Sequence, residues 1–291
     1  MRFGINTSLW TTTFITADLG LIEHVHDLGA DAIEFARHGL DGFPVEAIRR
    51  ELERLGMDCT LCTARPEPGQ SIVHADAAAR ERGVAYLRDA IRVAAGIGAK
   101  LVVGPLYAPV GWFTGARRTE QEWTWAVAAF QTLVPDLEQH HIALAIEPLN
   151  RYEGFFLATA AEGRALCEAI ADPRIGLLLD TAHMSIEEKD LAAAAQSVGP
   201  WLRHLQASEN DRGTPGSGLV DWTALFAALR DFSYDGWCTI ESFAWDRPAI
   251  AAATHCWRDL AASPETLGRD GIGFLRRAAA QASPAELRRT K

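Results

Sequence analysis

Three observations predict that this chain folds as a (β/α)8 barrel. Eight short apolar runs alternate with helix-patterned segments, and the ends of those runs follow one another at intervals of 26 to 43 residues, the pitch of repeated strand–helix units. Several of the runs break abruptly into a polar side chain, as a buried parallel strand does where it emerges at the rim. No Gly-rich turn follows the first run, where NTSLWTTT stands. A doubly wound open sheet, the best rival, usually announces itself there.

The strand-like runs are residues 2–7, 31–36, 59–63, 100–106, 142–147, 175–180, 202–208 and 236–241, with Asn6, Glu34, Cys62, Pro105, Glu147, Asp180, Gln206 and Glu241 as their expected ends. Between them lie helical patterns, including an Ala- and Arg-rich stretch at 75–98 and another at 120–140. After the eighth strand, residues 245–258 read as a loop with a short helix and 264–280 as a closing helix, so that 245–291 forms a C-terminal cap. No Ser/Gly/Pro-rich or single-charge tract divides the 291 residues, and one barrel domain over 1–291 is expected.

A formal net charge of −10 argues against binding nucleic acid or an anionic membrane, since both rest on Lys and Arg neutralising phosphates. A neutral polar ligand fits better. The start, MRFGINTSLW, lacks the apolar segment of a signal peptide, and no run approaches a membrane helix, so a soluble cytoplasmic protein is expected. Five scattered cysteines make no disulfide framework. Cys59 and Cys62 form a CxxC, but residues i and i+3 of a strand face opposite sides, and no second pair completes a zinc set.

The runs IALAIE, IGLLLD, LRHLQ and WCTIE place Glu147, Asp180, Gln206 and Glu241 at the C-terminal ends of strands five to eight, where barrel enzymes keep their chemistry. Three carboxylates and an amide converging there need a cation between them. An all-oxygen set without thiolate points to a hard divalent ion. In EPLNRYE, Pro148 interrupts the ladder and Glu153 follows in the loop above the mouth. In DTAHM, Asp180 can ligate while His183, one turn on, reaches a ligand. Gln206 and His204 share one face of the seventh strand, with His204 a layer deeper, and Arg212 sits in a Gly/Pro-punctuated loop able to fold over the site. Each motif alone has a plainer reading: Glu147 paired with an arginine, Asp180 as an N-cap, His204 as a satisfied core imidazole. Four polar strand ends in succession are hard to explain by packing.

These motifs, with HLQASENDRGTPGSG followed by DW, GWCTIESF, GPLY at 104–107 and HCWR at 255–258, resemble the ketose 3-epimerases: the D-tagatose, D-psicose (allulose) and L-ribulose 3-epimerases of the xylose-isomerase-like superfamily. The resemblance implies metal ligation by Glu147, Asp180, Gln206 and Glu241, with Mn2+ the usual ion and Mg2+ or Co2+ as alternatives. It further implies that Glu153, His183 and Arg212 hold the O1 and O2 end of a ketose. Several such epimerases carry His where this chain has Gln206. Asn6, Cys62, Leu106, Trp112 and Phe243 complete the expected substrate-contacting set, with Trp10 a further candidate for the apolar wall. A homodimer or homotetramer is expected.

The chemistry so implied is proton exchange at C3 through a cis-enediolate, one of Glu147 and Glu241 removing the proton and the other returning one to the opposite face. A divalent ion on O2 and O3 would stabilise the enediolate. Aldose–ketose, hydroxypyruvate and inosose isomerases use the same groups and are the nearest rivals. A zinc nuclease needs more histidines and a basic face, and a silent sugar-binding protein has no need of two opposed glutamates.

Overall fold

The structure, a computed structural model, describes residues 1–64 and 68–282. Eight parallel strands close on themselves in chain order: β1 (Arg2–Asn6), β2 (Ala32–His38), β3 (Asp58–Ala64), β4 (Leu101–Gly104), β5 (Ala143–Ile146), β6 (Ile175–Asp180), β7 (Leu202–Gln206) and β8 (Trp237–Ile240). Around them run α1 (Gly20–Asp27), α2 (Val45–Leu55), α3 (Ala77–Ile97), α4 (Glu120–His140), α5 (Ala160–Ile170), α6 (Thr181–Glu187), α7 (Leu191–Val198), α8 (Trp222–Asp231), α9 (Pro248–Thr254) and α10 (Pro264–Gln281). The (β/α)8 barrel read from the sequence is the observed fold.

Local signals set the helix ends. Thr119 with Glu122, and Thr159 with Glu162, form reciprocal capping boxes that satisfy the first amides of α4 and α5. Gly56 and Gly98 stop α2 and α3 in the left-handed conformation. Strand alternation then sorts side chains into two populations. Val102, Leu144, Leu177 and Leu179 join the large core between sheet and helices, where each fully buried aliphatic side chain is worth ~1.5–3 kcal/mol. Leu101, Val103, Ala145 and Leu178 form a separate cluster that plugs the barrel interior. Other interior positions are polar: Asn6, Glu34, Thr60, His204 and Gln206 are all buried.

Several strand ends differ from the sequence reading. β2 and β3 pair over seven residues, from Ala32 opposite Asp58 to His38 opposite Ala64, so Glu34 and Cys62 lie below the strand ends rather than at them. β4 stops at Gly104, whose φ of 125° and 2.5 Å gap between an added Cβ and the Thr63 carbonyl oxygen admit only glycine. The Gly104 carbonyl accepts the Glu147 amide at 3.0 Å. Glu147 therefore stands one residue beyond β5, and Glu241 one beyond β8, while Asp180 and Gln206 are true last residues of their strands. The short helix expected within 245–258 is α9, and the closing helix is α10. The end of that expected cap, residues 283–291, lies outside the described residues.

Candidate active site

The strand register sets the level of the polar groups. Asn6 lies opposite Glu34 and Glu34 opposite Thr60; Asp180 lies opposite Gln206 and Gln206 opposite Thr239. Glu147, Asp180, His183, Gln206 and Glu241 are all buried at the C-terminal mouth. Two ion-pair systems divide them. His183 Nε2 sits 3.3 Å from Glu147 Oε1. Arg212 Nη1 reaches Asp180 Oδ2 at 2.5 Å and Glu241 Oε2 at 2.9 Å, and its Nη2 comes within 3.3 Å of His183 Nε2.

Arg212 was expected to fold over the site toward substrate. The structure places its guanidinium between two of the expected ligand carboxylates, as the cation that electrostatics demands there. Its backbone is in the left-handed region, at φ 65°, and is held by the Ser242 hydroxyl donating to its carbonyl at 2.7 Å and by its own amide on Glu209. A strained, over-determined non-glycine residue at a pocket is a recurrent feature of functional sites. Its ring neighbour is Phe243, 5.1 Å below the guanidinium.

The electrostatics follow from burial and neighbours. Burial, reinforced by Asp180, Glu147 and Glu34, pushes Glu241 well above the carboxylate range in spite of Arg212. Burial also raises Glu147 against the pull of His183. For Asp180 burial acts upward too, but Arg212 and His183 outweigh it and hold the carboxyl at about 2. Burial would lower His183, yet Glu147 and Asp180 carry it above its ordinary value. Perturbed titratable groups gathered in one cleft mark a candidate site.

The donor set suits a divalent cation. Glu147, Asp180 and His183 offer ligand atoms within 4.8 Å of one another. Among the described residues Gln206 Oε1 is buried with no hydrogen-bond partner, although leaving such an acceptor unpaired costs about 1–3 kcal/mol. Gln206 Nε2 donates to Glu34 Oε1 at 2.9 Å and to Glu241 Oε1 at 3.2 Å, and lies 3.8 Å from Cys62 Sγ. His183, expected only to bind substrate, thus falls within the metal-competent cluster, and Gln206 and Glu241 approach it through Arg212 and their own contact.

The remaining expected residues distribute around this centre. Glu153 is partly exposed at the rim, 4.0 Å from His183 Nδ1, and is linked to it through Asn150, whose Nδ2 donates to Glu153 at 2.9 Å and to His183 Nδ1 at 2.7 Å. Asn6 donates to Glu34 at 2.8 Å and approaches Glu241 at 3.5 Å. Trp112 stacks on His74 and meets Phe155 edge-on at the mouth, and Leu106 is buried. Trp10 turns to the helical side, its Nε1 on Glu265 and its ring against His24. The sequence reading singled out neither Asn150 nor Ser208. Asn150 stood inside EPLNRYE, and Ser208, within reach of Asp180 and Arg212, closed the expected seventh run. Glu34 entered that reading only as a strand end.

A family model described as Xylose isomerase-like TIM barrel matches residues 22–278. The chain is 35% identical over 276 residues to a probable ketose 3-epimerase of Synechocystis sp., covering 95% of this chain and 96% of the relative. It is 29% identical over 283 residues, 94% of each chain, to a D-psicose 3-epimerase of Enterocloster bolteae. A solved L-ribulose 3-epimerase structure matches with a TM-score of 0.91 at 27% identity, covering 100% of this chain and 98% of that one. A D-allulose 3-epimerase from Methylomonas sp. in complex with D-allulose matches at 0.89 and 26%, covering 96% and 97%.

Proposed function

Because the chain belongs to the ketose 3-epimerases of the xylose isomerase-like TIM barrel family, we propose that it inverts C3 of a free ketose of the D-psicose, D-tagatose or L-ribulose kind. The observation that carries this reading is the pair of buried glutamates, Glu147 and Glu241, raised above their ordinary range and anchored on different partners, His183 and Arg212. A carboxylate desolvated in this way is a stronger base toward the C3 hydrogen of a ketone, and once protonated it is an acid suited to neutral pH. One glutamate removes the proton and the other donates to the opposite face, giving a cis-enediolate between the two steps. The two directions of reaction exchange their roles.

His183 and Arg212 steady the charge that develops on O2, and Asn150 keeps the His183 ring in place. Glu153 takes a sugar hydroxyl at the rim. Trp112, Phe243, Leu106 and Cys62 line the pocket and exclude water. A divalent cation, held when bound by Glu147, Asp180, Gln206 and Glu241, supplies Lewis-acid polarisation of the carbonyl. The oxygen-rich donors favour Mn2+, with Mg2+ or Co2+ as substitutes. Asp180 and Glu241, which pair with Arg212 in this structure, would then be shared between the guanidinium and the ion.

A free rather than phosphorylated sugar is supported by how the nearby arginines are used. Arg118 donates to the Phe156 carbonyl and lies over Trp123, Arg212 is paired, and Arg117 is exposed. No described helix is long and apolar enough to cross a membrane, in keeping with a cytoplasmic enzyme. Exposed Val110, Phe113 and Tyr152 at the rim suit the covering subunit of a homodimer or homotetramer.

The test is to strip the protein with EDTA, reload it with Mn2+, and incubate it with D-psicose, D-tagatose and L-ribulose in D2O. Deuterium at C3 is expected with the loaded enzyme and none with the stripped one. Label confined to C1 would instead establish the aldose–ketose isomerase reading, which Gln206 keeps in view.

A further inference from the structure

We infer that Glu34 is a positioning residue that fixes which end of the Gln206 amide faces the metal pocket. The inference rests on Gln206 being a ligand. A primary amide has two ends of nearly the same shape, and only the oxygen can hold a cation. Something must therefore decide between them. Glu34 is fully buried in β2 and, as a carboxylate, can only accept. Its Oε1 takes Gln206 Nε2 at 2.9 Å and Asn6 Nδ2 at 2.8 Å. Its Oε2 takes the Thr60 hydroxyl at 2.7 Å and stands 2.8 Å from His204 Nε2.

Three hydrogen-bond donors from β1, β3 and β7, with His204 Nε2 beside them, thus converge on a carboxylate with about four lone-pair sites, so Glu34 is spoken for and is not itself a free ligand. The orientation of Asn6 is pinned in turn, because its Oδ1 accepts the Ser8 amide at 2.8 Å. With Glu34 and Glu241 both drawing on Gln206 Nε2, a turned amide would set its oxygen against two carboxylates. The oxygen is left buried and without a partner among the described residues, ready for an ion. Outer partners that orient ligands in this way are a general part of metal sites.

The experiment is Mn2+ titration of metal-free wild-type protein and Glu34→Gln, by calorimetry and by the EPR signal of free Mn2+, with circular dichroism to check folding. Glu34→Gln is expected to bind Mn2+ about 10–100-fold more weakly. Exchanging the pair, Glu34→Gln with Gln206→Glu, should restore affinity to within about tenfold of wild type, since a carboxylate presents oxygen either way round. A merely structural role for Glu34 predicts loss in both variants and would overturn the inference, as would a folded Glu34→Gln that binds like wild type. If Glu34→Gln does not fold, a crystal structure of the wild type with Mn2+ decides. Gln206 Oε1 on the ion with Nε2 still on Glu34 supports the inference, and Glu34 itself on the ion sinks it. Wild-type protein that binds no Mn2+ removes the ligand reading and this inference together, whereas equal binding by wild type and Glu34→Gln removes this inference alone.

Discussion

Arg212 lets Asp180 and Glu241 be buried side by side, since one nitrogen contacts both carboxylates. Removing one member of a buried charge network leaves the others uncompensated, at a cost of about 3–5 kcal/mol. Arg212→Met is therefore expected to lose stability of that order in EDTA-treated protein and much less with Mn2+ present, as read by denaturant unfolding. Equal losses in both states would mean that arginine and ion do not share those carboxylates. The glutamates are a second residue-level test. Glu147→Gln and Glu241→Gln should each keep the fold and lose roughly a hundred- to ten-thousand-fold in C3 exchange, the usual scale of acid–base contributions. A variant of either that retained a tenth or more of the wild-type rate, about tenfold loss or less, would contradict a two-base exchange.

The elements deliver these side chains through a few backbone contacts, of which the β4–β5 junction is the most demanding. Gly104 ends β4 in a left-handed conformation against the Thr63 carbonyl, and its own carbonyl carries the Glu147 amide. Gly104→Ala should cost at least the ~1–3 kcal/mol of a strained backbone position and should also lower kcat, because Glu147 hangs from the shifted carbonyl. A helix cap distant from this junction gives the contrast. Thr119→Ala removes the α4 capping box and should cost about 1 kcal/mol while leaving kcat and KM unchanged. Thermal unfolding paired with kinetics on both variants checks the distinction. A Gly104→Ala enzyme with wild-type kcat would show that Glu147 does not depend on that carbonyl.

For the whole molecule, pH and metal act on one buried charge cluster. Glu241 and Glu147 have folded values above their ordinary 4.5, so in metal-free protein their contribution is fully present below about 4.5 and is lost as pH rises through the raised values. Asp180, held at about 2 against an ordinary 3.8, runs the opposite way, present above 3.8 and lost as pH falls toward 2. A cation binds the ionised carboxylates, so its stabilisation grows as they deprotonate. The Tm difference between Mn2+-loaded and EDTA-treated protein should widen from pH 4.5 into the neutral range, and a narrowing difference would count against metal binding at this cluster. The same long-range cluster marks the limit of what sequence could convey. Apolar runs ending in Asp180 and Gln206, with Glu147 and Glu241 one residue beyond theirs, were legible because strand burial and strand termination are local properties of a few consecutive side chains. The order of the eight strands followed from their alternation with helices, and the motifs between Glu147 and Phe243 carried the family. The length of β2 was not legible, because its upper half is held by pairing with β3, and so Glu34 passed for a strand end when it is an interior hub. Nor could sequence place Arg212 between two carboxylates, direct one end of the Gln206 amide to Glu34, or join Asn150 to His183. Those contacts cross 32, 172 and 33 residues of chain, and only closure of the barrel brings such partners together and decides which of several chemically equivalent pairings is made.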